Sequence, residues 1–160
     1  ILLQNEAGAL ARVAGMFSAR GYNIESLTVA PTHDPSLSRL TLVTYGSDAV
    51  VEQVIRQSRK LIEIVEIVDL AGRDHLEAEL VMLKVRVDSD NLQLVVDSIL
   101  RHHGQILDET DTTRTVQLTG SAAEVNAFLA EISATARVLE LVRSGTAALE
   151  RGVNVLAAPV

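Results

Sequence analysis

Asn5 and Gly8 stand three residues apart where an opening apolar run, Ile1-Leu2-Leu3, gives way to a helical pattern, and Asn23 follows a glycine at the far end of that pattern. These residue types at those points can hold a small zwitterion. A helix N-terminus presents unpaired N–H groups and about half a positive charge, so a ligand carboxylate is favoured at the amides of Gly8, Ala9 and Leu10. Gly8 has no Cβ and allows close backbone approach. Asn5 can accept or donate at the edge of such a site, and Asn23 can offer its carbonyl oxygen to an ammonium group. Leu10 and Ile24 would form an apolar wall for a branched side chain. The same residues also read as a helix cap, a first-turn residue and a turn former, and their types alone leave both readings open.

No other constellation in the chain reads as a reactive site. The nine glycines contain no Gly-x-Gly pair, so a dinucleotide fingerprint and a Walker loop are both lacking. No Ser lies in a Gly-x-Ser-x-Gly elbow. His33 falls in a loop and His75 near a linker, while His102 and His103 are adjacent. Neighbouring helix residues point about 100° apart, so that pair does not chelate as an i, i+4 pair would. It reads instead as a helix-terminal pair complementing the C-terminal dipole. The run Asp108-Glu109-Thr110-Asp111 lacks the spacing and glycine of a calcium loop and reads as a hairpin turn. No metal ligand set and no catalytic set is expected.

The elements that must position Asn5, Gly8 and Asn23 follow from periodicity. Leu10, Val13, Ala14 and Phe17 recur at helical spacing, and Gly21 sits where a left-handed residue stops a helix. Ile24 to Ala30 reads as a strand ended by Pro31, Thr32 to Ser36 as a turn, and Ser38 to Tyr45 as a partner strand. Ser47 can cap a second helix with Val50, Val51, Val54, Ile55 and Ser58 on one face. Leu61 to Leu70 closes the unit as a β-rich run. The order is βαββαβ.

The second half repeats it. Ala71-Gly72-Arg73-Asp74 is a polar break, Ala78 to Val87 a strand, and Leu92, Val95, Val96, Ile99 and Leu100 a helical stripe stopped at His103-Gly104 in the manner of Arg20-Gly21. Gln105 to Glu109 and Thr113 to Thr119 are strands, Ser121 with Glu124 has capping-box spacing before Val125, Phe128, Leu129 and Ile132, and Arg137 to Arg143 is the last strand. The expected fold class is α+β, two ferredoxin-like βαββαβ domains over residues 1–70 and 77–160 with a linker at 71–76. Each is small, and helices on one face of a four-stranded sheet leave the other face wet. Oligomerisation is the expected remedy.

Composition bounds the rest. Hydrophobic residues at 48% of 160 exclude a disordered chain, and 2% aromatics without Trp demand an aliphatic core. The absence of Cys removes disulfides and thiolate chemistry and makes a reducing, cytoplasmic setting the expectation. A net charge of -7 argues against a nucleic-acid partner. Apolar runs fall well short of the ~20 residues of a membrane span. The chain begins at Ile1 inside a strand pattern, which leaves room for an upstream segment.

The strings Gln4-Asn5-Glu6-Ala7-Gly8-Ala9-Leu10-Ala11-Arg12-Val13, Arg20-Gly21-Tyr22-Asn23-Ile24-Glu25-Ser26-Leu27-Thr28-Val29-Ala30-Pro31-Thr32 and Leu37-Ser38-Arg39-Leu40-Thr41 resemble the regulatory small subunits of acetolactate synthase (acetohydroxyacid synthase). The likeness runs on through Val116-Gln117-Leu118-Thr119-Gly120, Phe128-Leu129 and Arg143-Ser144-Gly145. The resemblance implies an N-terminal ACT domain, a C-terminal domain of related topology, and a homodimer whose ACT sheets join side by side. It implies valine bound at that dimer interface, with Asn5, Gly8, Ala9 and Leu10 from one protomer and Asn23 and Ile24 from the other. It also implies a partner, the large catalytic subunit, carrying thiamine diphosphate, Mg²⁺ and FAD, which this chain would activate and make valine-sensitive in branched-chain amino-acid biosynthesis. Ala11 stands where the family often has Ser, and His33 where an acidic residue is frequent. A free-standing amino-acid-sensing regulator is the alternative that the same motifs allow.

Overall fold

In the computed structural model, residues 1–158 are described. The chain divides into two units, Ile1–Leu76 joined by a returning tail from Ala147, and Glu77–Thr146. Both have the expected α+β, βαββαβ architecture. The expectation of 77–160 as one domain differs at its end, because the tail groups with the first unit across a gap of 70 residues in sequence that no local pattern signals.

The first unit runs β1 (Leu2–Gln4), α1 (Ala9–Ala19), β2 (Ser26–Pro31), β3 (Leu37–Val43), α2 (Asp48–Ser58) and β4 (Ile64–Glu66). Its sheet has the order β2-β3-β1-β4, all pairs antiparallel. Alternation along β1 and β3 points Leu3 and Leu40 at the helices, where they pack with Val13, Phe17 and Val54. Each of these core side chains is taken from water, an effect of about 1.5–3 kcal/mol apiece relative to exposure. Leu2 is also buried, but it pairs with Arg39 and Glu66 outside that cluster. There the guanidinium of Arg39 donates to the Ala148 carbonyl of the returning tail at 3.1 Å.

Three local readings shift. The buried stripe of α1 is Ala9, Val13, Met16 and Phe17, with Ala14 half-buried and Leu10 turned outward. Both stripes fit a 3.6-residue period, and only seating the helix on the sheet selects between them. The run Leu61 to Leu70 supplies just three strand residues, because Ile64 N–H closes a turn on the Leu61 carbonyl and the pairing with β1 slips by a bulge. Ser47 occupies the N-cap of α2 in extended backbone, but its hydroxyl makes no capping bond.

The second unit runs β5 (His75–Arg86), α3 (Leu92–Arg101), β6 (Gln105–Glu109), β7 (Thr113–Gly120), α4 (Ala122–Thr135) and β8 (Val138–Arg143), in sheet order β6-β7-β5-β8. The returning tail of the first unit carries one further strand, β9 (Ala147–Glu150), which has no counterpart in the expected order. The core is Val81, Leu83 and Val85 from β5 against Val95, Ile99, Val125, Phe128 and Ile132 from the helices. Leu100, expected in the stripe, is exposed. Ser121 and Glu124 form the expected capping box, each bonding the other's backbone N–H. The carboxylate of Glu79, 4% exposed, takes two hydrogen bonds from the Arg143 guanidinium at 2.6 and 2.7 Å. Those bonds hold its pKa below the ordinary carboxylate value.

Candidate functional site

Gly8 starts α1 from the left-handed region, with φ 90 and ψ -13. An L side chain is disfavoured there by roughly 1–2 kcal/mol, so glycine at this point is a requirement of the backbone. The turn spends one amide internally, since Ala9 N–H donates to the Glu6 carbonyl. The Arg12 N–H then closes the first helical turn on the Gly8 carbonyl. The N–H groups of Gly8, Leu10 and Ala11 have no hydrogen-bond partner among the described residues. Three free donors on the positive end of a helix dipole, beside the exposed Leu10 side chain, form a receptive point for an anion.

Arg12 adds a charge that the spacing did not reveal. Its Nη2 lies 4.0 Å from where a Cβ on Gly8 would stand. Its Nη1 bonds Glu63 Oε1 at 2.6 Å. Glu63 is 5% exposed, and its backbone carbonyl also receives Gln4 N–H. The bridge thus ties the first turn of α1 to the end of β1. Arg12 is visible in the sequence only as a helix residue off the apolar face, and Glu63 lies 51 residues away. No periodicity links them.

Asn5 is placed differently from a free ligand contact. Its Nδ2 donates to the Pro35 carbonyl at 2.9 Å, its Oδ1 accepts from the Ser38 hydroxyl at 3.1 Å, and its backbone N–H reaches the Ser36 carbonyl. The side chain latches the end of β1 to the turn before β3. That turn is stiffened by Asp34, whose carboxylate accepts from both the N–H and the hydroxyl of Ser36 and is held below its ordinary pKa by those bonds. Asn5 therefore fixes the loop out of which Gly8 emerges. Ala9, also expected at the site, has its side chain in the core at 2% exposure, so only its backbone faces the turn.

Asn23 and Ile24 lie beyond the other end of α1. The helix closes in a Schellman turn, with Tyr22 N–H on the Phe17 carbonyl, Gly21 N–H on the Ser18 carbonyl, and Gly21 at φ 69. Tyr22 then packs edge-on against Phe17, with ring centroids 6.1 Å apart. Asn23 is exposed; its carbonyl receives the Thr44 hydroxyl at 2.6 Å. Ile24 is half-buried against the core. An eleven-residue helix is roughly 16 Å long at 1.5 Å per residue. Within one chain, then, the structure does not bring Gly8 and Asn23 together.

The histidines fall outside any such arrangement. His102 bonds Glu131 at 2.9 Å and lies on the Phe128 ring, tying α3 to α4. His103 occupies the position that Gly21 holds in α1, at φ 58, with its N–H on the Leu100 carbonyl and Gly104 N–H on the Ile99 carbonyl. The stop expected at His103-Gly104 is real, but the left-handed residue is the histidine. Among the described residues no three His, Asp or Glu side chains converge as a metal site. No helix of the described residues is long and apolar enough to cross a membrane.

Comparison with known proteins covers nearly the whole chain. Residues 1–66 match the family described as AHAS small subunit-like ACT domain, and residues 78–152 match the family described as Small subunit of acetolactate synthase. The chain is 44% identical over 156 residues to the acetolactate synthase isozyme 3 small subunits of Salmonella typhimurium and Escherichia coli, spanning 98% of this chain and 96% of each relative. It is 35% identical to the acetolactate synthase small subunit of Aquifex aeolicus, over 97% of this chain and 81% of that one. The crystal structure of the acetolactate synthase small subunit from Thermotoga maritima superposes with a TM-score of 0.84 at 33% identity, covering 96% of this chain and 95% of that chain. With both halves matched in order and the fold shared along its length, the chain belongs to the family of acetolactate synthase small subunits, its N-terminal unit being an ACT domain.

Proposed function

We propose that this chain activates a separate, thiamine-diphosphate-dependent catalytic subunit of acetolactate synthase and makes it responsive to valine, which binds between the ACT domains of two copies. The observation that carries the reading is the set of free amides at Gly8, Leu10 and Ala11, set about one helix length from Asn23. A single amino acid cannot span that distance in one chain. It can bridge the helix start of one protomer and the Gly21-Tyr22-Asn23 turn of another. The carboxylate is received by the amides and the nearby Arg12 cation, the ammonium by the Asn23 side-chain oxygen, and the branched side chain by Leu10 and Ile24.

The exposed edge of β2 suits the required pairing. β2 is the outer strand of its sheet, and Val29, Ala30 and Pro31 are exposed along it. An unpaired edge is a template for another strand, and a proline at its end limits how far the ladder can extend. A ligand that touches both protomers binds the paired state better than the separated one and biases the geometry of the pair. A coupling of ~1–3 kcal/mol is enough for allosteric control. Thiamine diphosphate, Mg²⁺ and FAD belong, in this reading, to the catalytic subunit, and the chain works where that enzyme works, in the cytoplasm.

Reconstitution tests the reading. The catalytic subunit is assayed for acetolactate formation alone, with this chain, and with this chain plus valine. Turnover that rises on adding the chain and falls again with valine is the expected result, with no turnover from the chain by itself. A catalytic subunit unaffected by the chain would refute the proposal.

A further inference from the structure

Arg12 and Glu63 set a pair of opposite charges beside the Gly8 turn. The Arg12 side chain is 54% exposed, whereas Glu63 is 5% exposed. They meet at one point only. Arg12 Nη1 bonds Glu63 Oε1 at 2.6 Å, and Glu63 Oε2 is buried with no hydrogen-bond partner among the described residues. An arginine commonly grips a carboxylate through two parallel bonds, which would satisfy both oxygens. Here the second nitrogen, Nη2, stands instead 4.0 Å from where a Cβ on Gly8 would be, at the helix start whose amides at Gly8, Leu10 and Ala11 are free. Leaving a buried oxygen without a donor costs stability, so the one-point contact is not the arrangement that a purely structural ion pair would favour. The helix dipole and a guanidinium by themselves attract any small carboxylate. Glu63 offsets the guanidinium charge from the buried side, where water and salt screen it least. Glu6, the other carboxylate of the turn, is exposed, and its charge is screened.

We propose that Glu63 sets the ligand class of this site: paired with Arg12, it admits a zwitterion, whose own ammonium balances its carboxylate, and turns away a monoanion of the same carbon skeleton, the corresponding 2-oxo acid. The inference rests on the reading above that valine binds at this helix start. Both ligands offer the same carboxylate to the amides and the same branched chain to Leu10. They differ by one positive charge. A monoanion is repelled by the buried Glu63 carboxylate, half of whose hydrogen-bonding capacity is unspent, while in the zwitterion the attraction of Glu63 for the ammonium offsets that repulsion. Selectivity then comes from disfavouring the wrong ligand as much as from holding the right one. Glu63 touches no ligand in this scheme. It positions Arg12 and acts through its charge.

The test is titration calorimetry of the full chain with valine and, separately, with 3-methyl-2-oxobutanoate, the 2-oxo acid that differs from valine only at Cα. The wild-type chain is expected to bind valine more tightly than the oxo acid. Glu63→Gln keeps the size of the side chain and an oxygen for Arg12 but removes the charge. It should narrow the ratio of the two dissociation constants about tenfold, chiefly by tightening the oxo acid. Removing both charges together, in Arg12→Gln/Glu63→Gln, should return the ratio toward its wild-type value. A merely structural role for Glu63 would not move the ratio, because partial unfolding weakens both ligands by the same factor. A Glu63→Gln chain that keeps the wild-type ratio overturns the assignment and leaves valine binding standing. A wild-type chain that binds the oxo acid as tightly as valine also overturns it. A wild-type chain that binds neither ligand overturns the effector reading together with this one.

Discussion

Replacing Gly8 separates backbone strain from charge at the proposed effector site. An alanine Cβ meets nothing nearer than Arg12 Nη2 at 4.0 Å, so Gly8→Ala is limited by conformation and not by space. Holding alanine at φ 90 costs roughly 1–2 kcal/mol. For a unit of this size that lowers the melting temperature by about 4–8 °C per kcal/mol. Gly8→Asp adds a carboxylate beside the amides proposed to receive the ligand carboxylate. Two such charges about 5 Å apart repel by about 3 kcal/mol at an effective dielectric near 20. Arg12 sits within reach of the new side chain and offsets part of that, leaving a net loss of about 2 kcal/mol, or roughly thirtyfold in Kd. Titration calorimetry with valine, run beside thermal melts, reads both terms. The expected pattern is similar melting loss in the two variants but a thirtyfold weaker Kd in Gly8→Asp alone. A Gly8→Asp chain that binds valine with wild-type affinity and stoichiometry would refute the placement of the carboxylate.

Two further expectations concern the second unit. His103→Gly removes a left-handed L residue from the Schellman turn of α3 and, after the entropy that glycine loses on folding, should raise stability by about 0.5–1 kcal/mol, read as a higher denaturant midpoint; an unchanged or lower midpoint would mean that the histidine side chain contributes more than its backbone strain. Arg143 holds the Glu79 carboxyl below its ordinary pKa, so the pair contributes stability that is fully present above the ordinary carboxylate range and is lost as pH falls through the lowered folded value. Glu79→Gln should cost about 2 kcal/mol at neutral pH and flatten the decline of the melting temperature below pH 4.5, and a variant that keeps the wild-type acid slope would dissociate the pair from acid stability.

Local physics made much of the fold legible. The capping box at Ser121 and Glu124 and the stop at Gly21 each lie within a few residues of the groups they satisfy, so residue type and spacing suffice. The misreadings occur where two local solutions have equal merit. Leu10 and Ala9 both continue a helical stripe, and the burial of Ala9 follows from how α1 seats on Leu3 and Leu40. At the site, Gly8 is legible as an anion-receptive helix start. Asn5 is legible as important but not as a latch, because its partners Pro35 and Ser38 are thirty or more residues away.

The sequence by itself determined the repeated βαββαβ order, the aliphatic core and the positions of Gly8 and Asn23 at the two ends of one helix. Periodicity, caps and turn residues act over four or five residues and need no knowledge of the rest. Only the tertiary structure decided that Arg12 is bridged to Glu63, that the tail from Ala147 returns to the first unit, and that Asn5 latches β1 to the turn before β3. Those arrangements depend on which surfaces meet after the chain collapses. Pairing over such separations is chosen by packing and charge in three dimensions, and one-dimensional spacing carries no trace of it.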